Sequence, residues 1–142
     1  MFLKTAASLL LIFNGTGAIY GGWNLITHPD GSSLQMPLDL LKYSPFNDFL
    51  IPGIILFVTS GTLSFVALAM LAFSKKNYPL YVIGEGAILF GWIIIEVIML
   101  RAIASLHYIF GTIGIGLFVI GFFLKQIEQQ SNGKQQFIPR NA

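Results

Sequence analysis

FLIPGIILFVTSGTLSFVALAMLAF, residues Phe49–Phe73, runs without one charged side chain. A helix rises 1.5 Å per residue, so about 20 residues cross a hydrocarbon core of ~30 Å and this stretch is long enough to span a bilayer. A helix also satisfies every backbone N–H and C=O within the segment, which an isolated strand does not. Three more stretches read the same way. Thr5–Trp23 is uncharged, Ala102–Leu124 carries only His107, and Tyr78–Leu100 carries Glu85 and Glu96. The expected fold class is all-α: a polytopic membrane protein, an antiparallel four-transmembrane-helix bundle with helices over 5–23, 49–73, 78–100 and 102–124.

Composition supports this class and excludes others. Hydrophobic residues make up 55% of the chain and charged residues 10%, against about 25% charged in a soluble domain. The net charge of +2 comes from few, scattered basic residues, so nucleic acid is not an expected partner. Without cysteine there is no disulfide framework, thiolate metal site or thiol chemistry. No glycine run joins a strand to a helix, as a phosphate loop requires, and no cofactor is expected. Met1–Lys4 before an apolar run looks like the start of a signal peptide, but no Ala-x-Ala site follows and the segment reads as the first membrane helix.

The basic residues sort by side. With four crossings, Lys4, Lys75, Lys76, Lys125, Lys134 and Arg140 fall on one side, and only Lys42 and Arg101 on the other. Cytoplasmic loops are enriched in Lys and Arg, so both termini are expected inside a bacterial cytoplasmic (inner) membrane. Residues 1–125 form a single transmembrane domain, and 126–142 a polar cytoplasmic tail that extends the last helix briefly and then frays. The connections Ser74–Asn77 and around Arg101 are short, which makes their helices antiparallel neighbours.

The outer loop, 24–48, is built rather than slack. His28-Pro-Asp-Gly31 is a turn signal. Pro37 can start a short helix that lays Leu38, Leu40, Leu41 and Tyr43 in the membrane interface. Asn47 or Asp48 can cap the second long helix. The loop is expected to close the hairpin, and a lid over a pocket is the sharper alternative.

Helices in lipid associate by close packing, so small residues mark their contacts. The first helix offers Asn14, Ala18 and Gly21 with Gly17, the second Ser60, Ser64 and Ala67. The third offers Gly84 and Gly91, and the fourth Gly111, Gly114 and Gly121.

The two carboxyls of the third helix need explaining, because an intramembrane acid is costly and normally faces the bundle interior. Glu85 and Glu96 lie 11 residues apart, which returns to within ~20° of one face but separates them by ~16 Å. Trp92 shares that face. At the depth of Glu85 the other helices supply Asn14, Ser64 and Thr62, so Glu85 is expected either to clasp them as a neutral acid or to serve as a proton or ligand site. Near the opposite boundary, Glu96, Arg101, His107 and Tyr20 form a second candidate cluster, with acid–base chemistry as its functional reading. His28, His107 and Asp30 lack metal-ligand spacing, and no metal is expected.

The segments Pro29-Asp-Gly31, Met36-Pro-Leu38, Ser44-Pro-Phe-Asn-Asp-Phe-Leu-Ile-Pro-Gly53, Trp92-Ile-Ile-Ile-Glu96 and Leu106-His-Tyr-Ile-Phe110 resemble a family of small four-helix integral membrane proteins of bacteria. In size and helix number the chain is also loosely similar to DoxX-like membrane proteins. The resemblance implies a fold and a location and supplies no reaction. In that family the Glu96 position can be Gln, which implies no obligate carboxylate there. The expected role is therefore binding, accessory or structural, with membrane lipids as partners and no enzymatic activity. A proton-coupled transporter using Glu85, as a homodimer, is the first alternative. A membrane enzyme acting on lipid or quinone through Glu96, His107 and Arg101 is the second.

Overall fold

The computed structural model describes residues 1–136, which are helical with no strand among them. Four helices are long and apolar enough to cross a membrane: α1 Phe2–Thr27, α2 Leu50–Ala72, α3 Tyr78–Leu100 and α4 Ser105–Gln136. Contacts pair the helices in opposite directions. Lys4 near the start of α1 donates to Ser74 after α2, Gly22 meets Phe57, and Gly86 meets Phe118 while Gly121 meets Ile83. Leu10 lies against Gly116, and Phe13 stacks on Phe110. The result is an up-and-down bundle in which α1 and α3 touch α2 and α4.

Several helix ends differ from the sequence expectation, each for a local reason. The first helix already includes Lys4, whose ammonium also sits 4.5 Å from the centre of the Tyr78 ring. It continues past Trp23 to Thr27 and stops where Pro29 disfavours the helical region for His28. Ala102 does not begin α4. Arg101 takes a left-handed conformation (φ 48) that ends α3, and α4 starts four residues later at Ser105. The polar segment from Gln126 does not fray early: it stays helical to Gln136, and the last residues of the expected tail, 137–142, lie outside the described residues.

Among the described residues, helix α2 holds the one irregularity within a candidate span. Between the α-helical turns Leu50–Ile55 and Leu63–Ala72, residues Leu56–Thr62 are π-helical. A π turn widens the helix and is frequently found at functional sites.

Close backbone approach occurs along two seams. Between α1 and α2, a Cβ added at Gly22 would lie 2.8 Å from the Phe57 nitrogen, and one at Gly53 would lie 2.7 Å from the Leu25 Cβ. Between α3 and α4, a Cβ at Gly86 would lie 2.5 Å from the Phe118 nitrogen and 2.7 Å from the Gly114 carbonyl oxygen. The glycines expected at these contacts are partly different ones. Gly15, Gly17 and Gly21 touch only side chains, while Gly22 carries the α1 side of the backbone seam; Gly84 and Gly91 face open space, while Gly86 packs. Leu11, Val82, Leu89 and Leu117 fill the centre, and many large apolar side chains of all four helices point outward.

The loop between α1 and α2 has its own small core, in which Leu41 and Phe49 pack with Leu25. Leu41 is therefore buried in the loop instead of lying in the interface as expected. Gly31 has φ 76, and a Cβ there would collide with the Met36 carbonyl oxygen. Asp30 accepts from the Ser32 hydroxyl at 2.8 Å and the Ser32 amide at 3.2 Å. Asp48 accepts from the Leu50 amide at 3.0 Å at the start of α2.

Three outcomes follow for this fold. Gly114→Leu places its Cβ 3.0 Å from the Phe90 nitrogen and 3.1 Å from the Gly86 oxygen, and should lose about 1–3 kcal/mol in detergent unfolding. Gly91→Leu meets nothing within 4 Å and should stay within about 0.5 kcal/mol. The Ser32 bonds hold the Asp30 carboxyl below its ordinary value of 3.8. Because the folded value is the depressed one, this contribution to loop stability is present above the unfolded value and lost as pH falls through the folded one. NMR titration should show Asp30 moving upward in Ser32→Ala; an unmoved Asp30 would refute the assignment.

Candidate functional site

Asn14, Ser64 and Glu85 meet at the bundle centre, one each from α1, α2 and α3. Asn14 and Ser64 are fully buried and Glu85 is 2% exposed. The Asn14 amide nitrogen, which has two hydrogens to share among three acceptors, lies 2.8 Å from Ser64 Oγ, 3.2 Å from Glu85 Oε1 and 3.2 Å from the Ser60 carbonyl oxygen. The contact with the Ser60 carbonyl, an acceptor only, requires the nitrogen and not the oxygen of the amide on that side. Ser64 Oγ lies 2.7 Å from both Ser60 O and Glu85 Oε1.

Counting hydrogens assigns roles in this cluster. Ser64 has one hydroxyl hydrogen but two short oxygen contacts, and Ser60 O can only accept. Both contacts are hydrogen-bonded when Ser64 donates to Ser60 O and Glu85 carries a proton on Oε1, donated to Ser64 Oγ. With an ionised Glu85, one of the two 2.7 Å contacts sets two acceptors against each other. Glu85 Oε2 has no hydrogen-bond partner, and neither does Asn14 Oδ1.

The local sequence explains the meeting. On α3, Tyr78, Val82, Glu85, Leu89 and Trp92 form the buried stripe, at the spacing of one helix face. Gly86 lets α4 approach to backbone contact beside the carboxyl. On α2 the cluster sits where the π turns give way to α-helix. Thr62, expected near Glu85, is exposed and returns its hydroxyl to the Phe57 carbonyl five residues back; two residues from Ser64, it falls on the far side of α2. Trp92 is buried on the Glu85 stripe, one turn from Glu96 and beside its carboxyl. Its indole N–H has no partner within hydrogen-bonding geometry.

The contribution that sequence reading missed is the Ser60 carbonyl. Ser60 appears in the sequence as a packing residue, but its backbone oxygen accepts from Asn14 and Ser64. Only a break in regular α-helix near residue 60 would have signalled it, and the residues at the π segment carry no distinctive pattern.

The second candidate cluster comes together only in part. Glu96 Oε2 and His107 Nε2 are 3.8 Å apart, beyond hydrogen-bonding distance. His107 Nδ1 accepts from the Ala104 amide at 2.8 Å, reaching back to cap the start of α4 as a glutamate does in a capping box. That bond leaves the ring proton on Nε2, facing Glu96. Arg101 does not join them; its guanidinium lies 4.1 Å from the centre of the Tyr43 ring. Tyr20 is 66% exposed, on the bundle exterior.

A groove of about 410 Å³ opens between α2 and α3, with Glu85 in its wall. Leu63, Val66 and Ala67 line one side, and Leu80, Tyr81 and Gly84 the other; Lys76 and Asn77 stand at one end. Among the described residues, no group of three His, Cys, Asp or Glu side chains is placed to hold a metal.

Comparison with protein-family models, curated proteins and solved structures finds no match to this chain. Fold and site thus define a class, an all-helical bundle with four candidate membrane spans and a buried carboxyl joint, and no relative adds an activity to it.

A double-mutant cycle with Asn14→Ala and Glu85→Ala should return a coupling of about 0.5–2 kcal/mol in detergent unfolding. Strict additivity would show that the two side chains act separately.

Proposed function

We propose that this chain is a multi-pass protein of the bacterial cytoplasmic membrane, with both termini inside and a binding, accessory or scaffolding role. Orientation rests on the six basic residues expected at the terminal side against Lys42 and Arg101 at the other. The role rests on the hydrogen count at Glu85, which supports a neutral acid committed to holding three helices together. A reaction centre would need its acid free to exchange protons with a substrate. The Glu96–His107 pair, with Arg101 turned to Tyr43, offers less support for an enzyme. Membrane lipids are the expected surroundings and partners.

The test compares isosteric and apolar replacements. Glu85→Gln keeps a donor for Ser64 Oγ and should unfold within about 1 kcal/mol of the parent protein, whereas Glu85→Leu strands buried partners and should lose about 1–3 kcal/mol. If Glu85→Gln is as damaging as Glu85→Leu, the neutral joint is wrong.

One observation favours a second reading, proton-coupled transport by a homodimer. Glu85 lines a groove and its buried Oε2 has no hydrogen-bond partner among the described residues, which leaves one oxygen uncommitted for a proton to load and unload. Proteoliposomes of the parent protein would then dissipate an imposed pH gradient and those of Glu85→Gln would not. The joint reading expects no dissipation from either.

A further inference from the structure

We propose that His107 makes the start of α4 sensitive to pH: the neutral ring caps the helix, and the protonated ring releases the cap and turns to Glu96. The device stands on the connection between α3 and α4 and does not depend on how Glu85 is read.

The first turn of α4 is capped from an unusual side chain. Ala104 precedes the helix and has no side-chain oxygen to offer the free amides of that turn. Ala104 and His107 are instead bonded in both directions. The His107 amide donates to the Ala104 carbonyl oxygen at 3.0 Å, and the Ala104 amide donates to His107 Nδ1 at 2.8 Å. His107 thus holds the third helical position, where a capping box has glutamate or glutamine. The exchange of residue type changes the chemistry. Glutamine accepts at every pH, and glutamate still accepts when ionised. An imidazole nitrogen accepts only while it carries no proton, and histidine ordinarily changes charge between about pH 5 and 8.

Two opposed influences act on the ring. A proton on Nδ1 would set two donors against each other across the 2.8 Å contact with Ala104, and would place a cation at the positive end of the α4 dipole. On the other side stands Glu96, the one carboxylate within 4.0 Å of a His107 nitrogen among the described residues. Its Oε2 is 3.8 Å from Nε2, about 1 Å beyond a charge-assisted hydrogen bond. The carboxyl is therefore not spent on the neutral ring and is within reach of the charged one.

The remaining charged groups of this end are engaged elsewhere. Arg101 and Lys42 lie 4.1 and 5.9 Å from the centre of the Tyr43 ring, Asp48 holds the Leu50 amide, and Asp30 holds Ser32. Helix α2 has no charged residue, and Tyr20 of α1 and Tyr108 of α4 are exposed on the exterior. The Glu96 side chain is 26% exposed and that of His107 10%, so the pair is not sealed from protons. What the protonated ring releases is the amide of Ala104, the last residue of the four, 101–104, that join α3 to α4.

The test is NMR on the full chain in phosphatidylcholine nanodiscs. The readout is the protection of the Ala104 amide against hydrogen exchange, taken relative to the intrinsic rate at each pH. Protection should fall about tenfold from pH 8 to pH 5, the worth of one hydrogen bond, while ring-nitrogen signals show Nδ1 gaining its proton over the same range. His107→Gln keeps an acceptor that does not titrate and should hold Ala104 protected throughout. His107→Ala should leave Ala104 unprotected at both ends of the range. Glu96→Gln should keep the cap at pH 8 and lose it only in more acidic solution than the parent does. A transition at the parent's pH in Glu96→Gln would remove Glu96 from the device. Protection of Ala104 that does not change with pH in the parent, or that still falls in His107→Gln, would overturn the proposal. Should a variant fail to fold, the paired titration of Ala104 and the ring in the parent protein still decides.

Discussion

A polar side chain in the middle of an apolar bundle has no water to fall back on, and the arrangement around Glu85 answers that constraint. Asn14 crosses the bundle from α1 to reach Glu85 on α3, and Ser64 on α2 completes the triangle. In a bilayer, whose tails are as apolar as leucine, burial of Leu11 or Leu117 would do little to choose one helix arrangement over another. Directional bonds do choose. Sliding or rotating any one of the three helices breaks contacts of 2.7–3.2 Å that no solvent replaces. The joint thereby sets relative height and rotation for α1, α2 and α3, and the backbone contacts of Gly86 and Gly114 pass that register to α4.

The two glycine seams and the joint divide the work. The α1–α2 and α3–α4 pairs approach to backbone contact, while α2 and α3 meet through the joint and part beside it to leave the groove. The π turns of α2 serve both jobs. They bring the Ser60 carbonyl toward Asn14, and they end beside the residues of α2 that line the groove. Irregular backbone within a span is tolerated where other groups satisfy what the helix releases, and here Asn14 and Ser64 bond to the carbonyl of Ser60 within the π segment.

Much of this was legible in the chain itself, and what was not has definite causes. The absence of charge over Phe49–Phe73 announced a span without reference to any neighbour, because length and hydrophobicity are properties of one segment. Glu85, Asn14 and Ser64 were recognisable together since each is polar at a comparable depth. Gly84 and Gly86 could not be told apart, because a glycine two residues away lies on another face and the facing helix decides which one packs. Arg101 drew attention as a partner for Glu96, yet it closes α3 in a left-handed turn and spends its charge on Tyr43. That pairing depends on where a distant loop returns, which spacing along the chain does not encode.

The pairing of helices into two seams also bears on the order of synthesis. The first hairpin, α1 with α2, contains both Asn14 and the acceptors Ser60 and Ser64. It can satisfy its buried polar groups among themselves before any later residue leaves the ribosome. Glu85 then arrives on the second hairpin and finds its partners already in register. A chain cut after α2 would on this account still hold its polar groups within one antiparallel pair. The second hairpin made alone would carry a carboxyl with nothing of its own to bind.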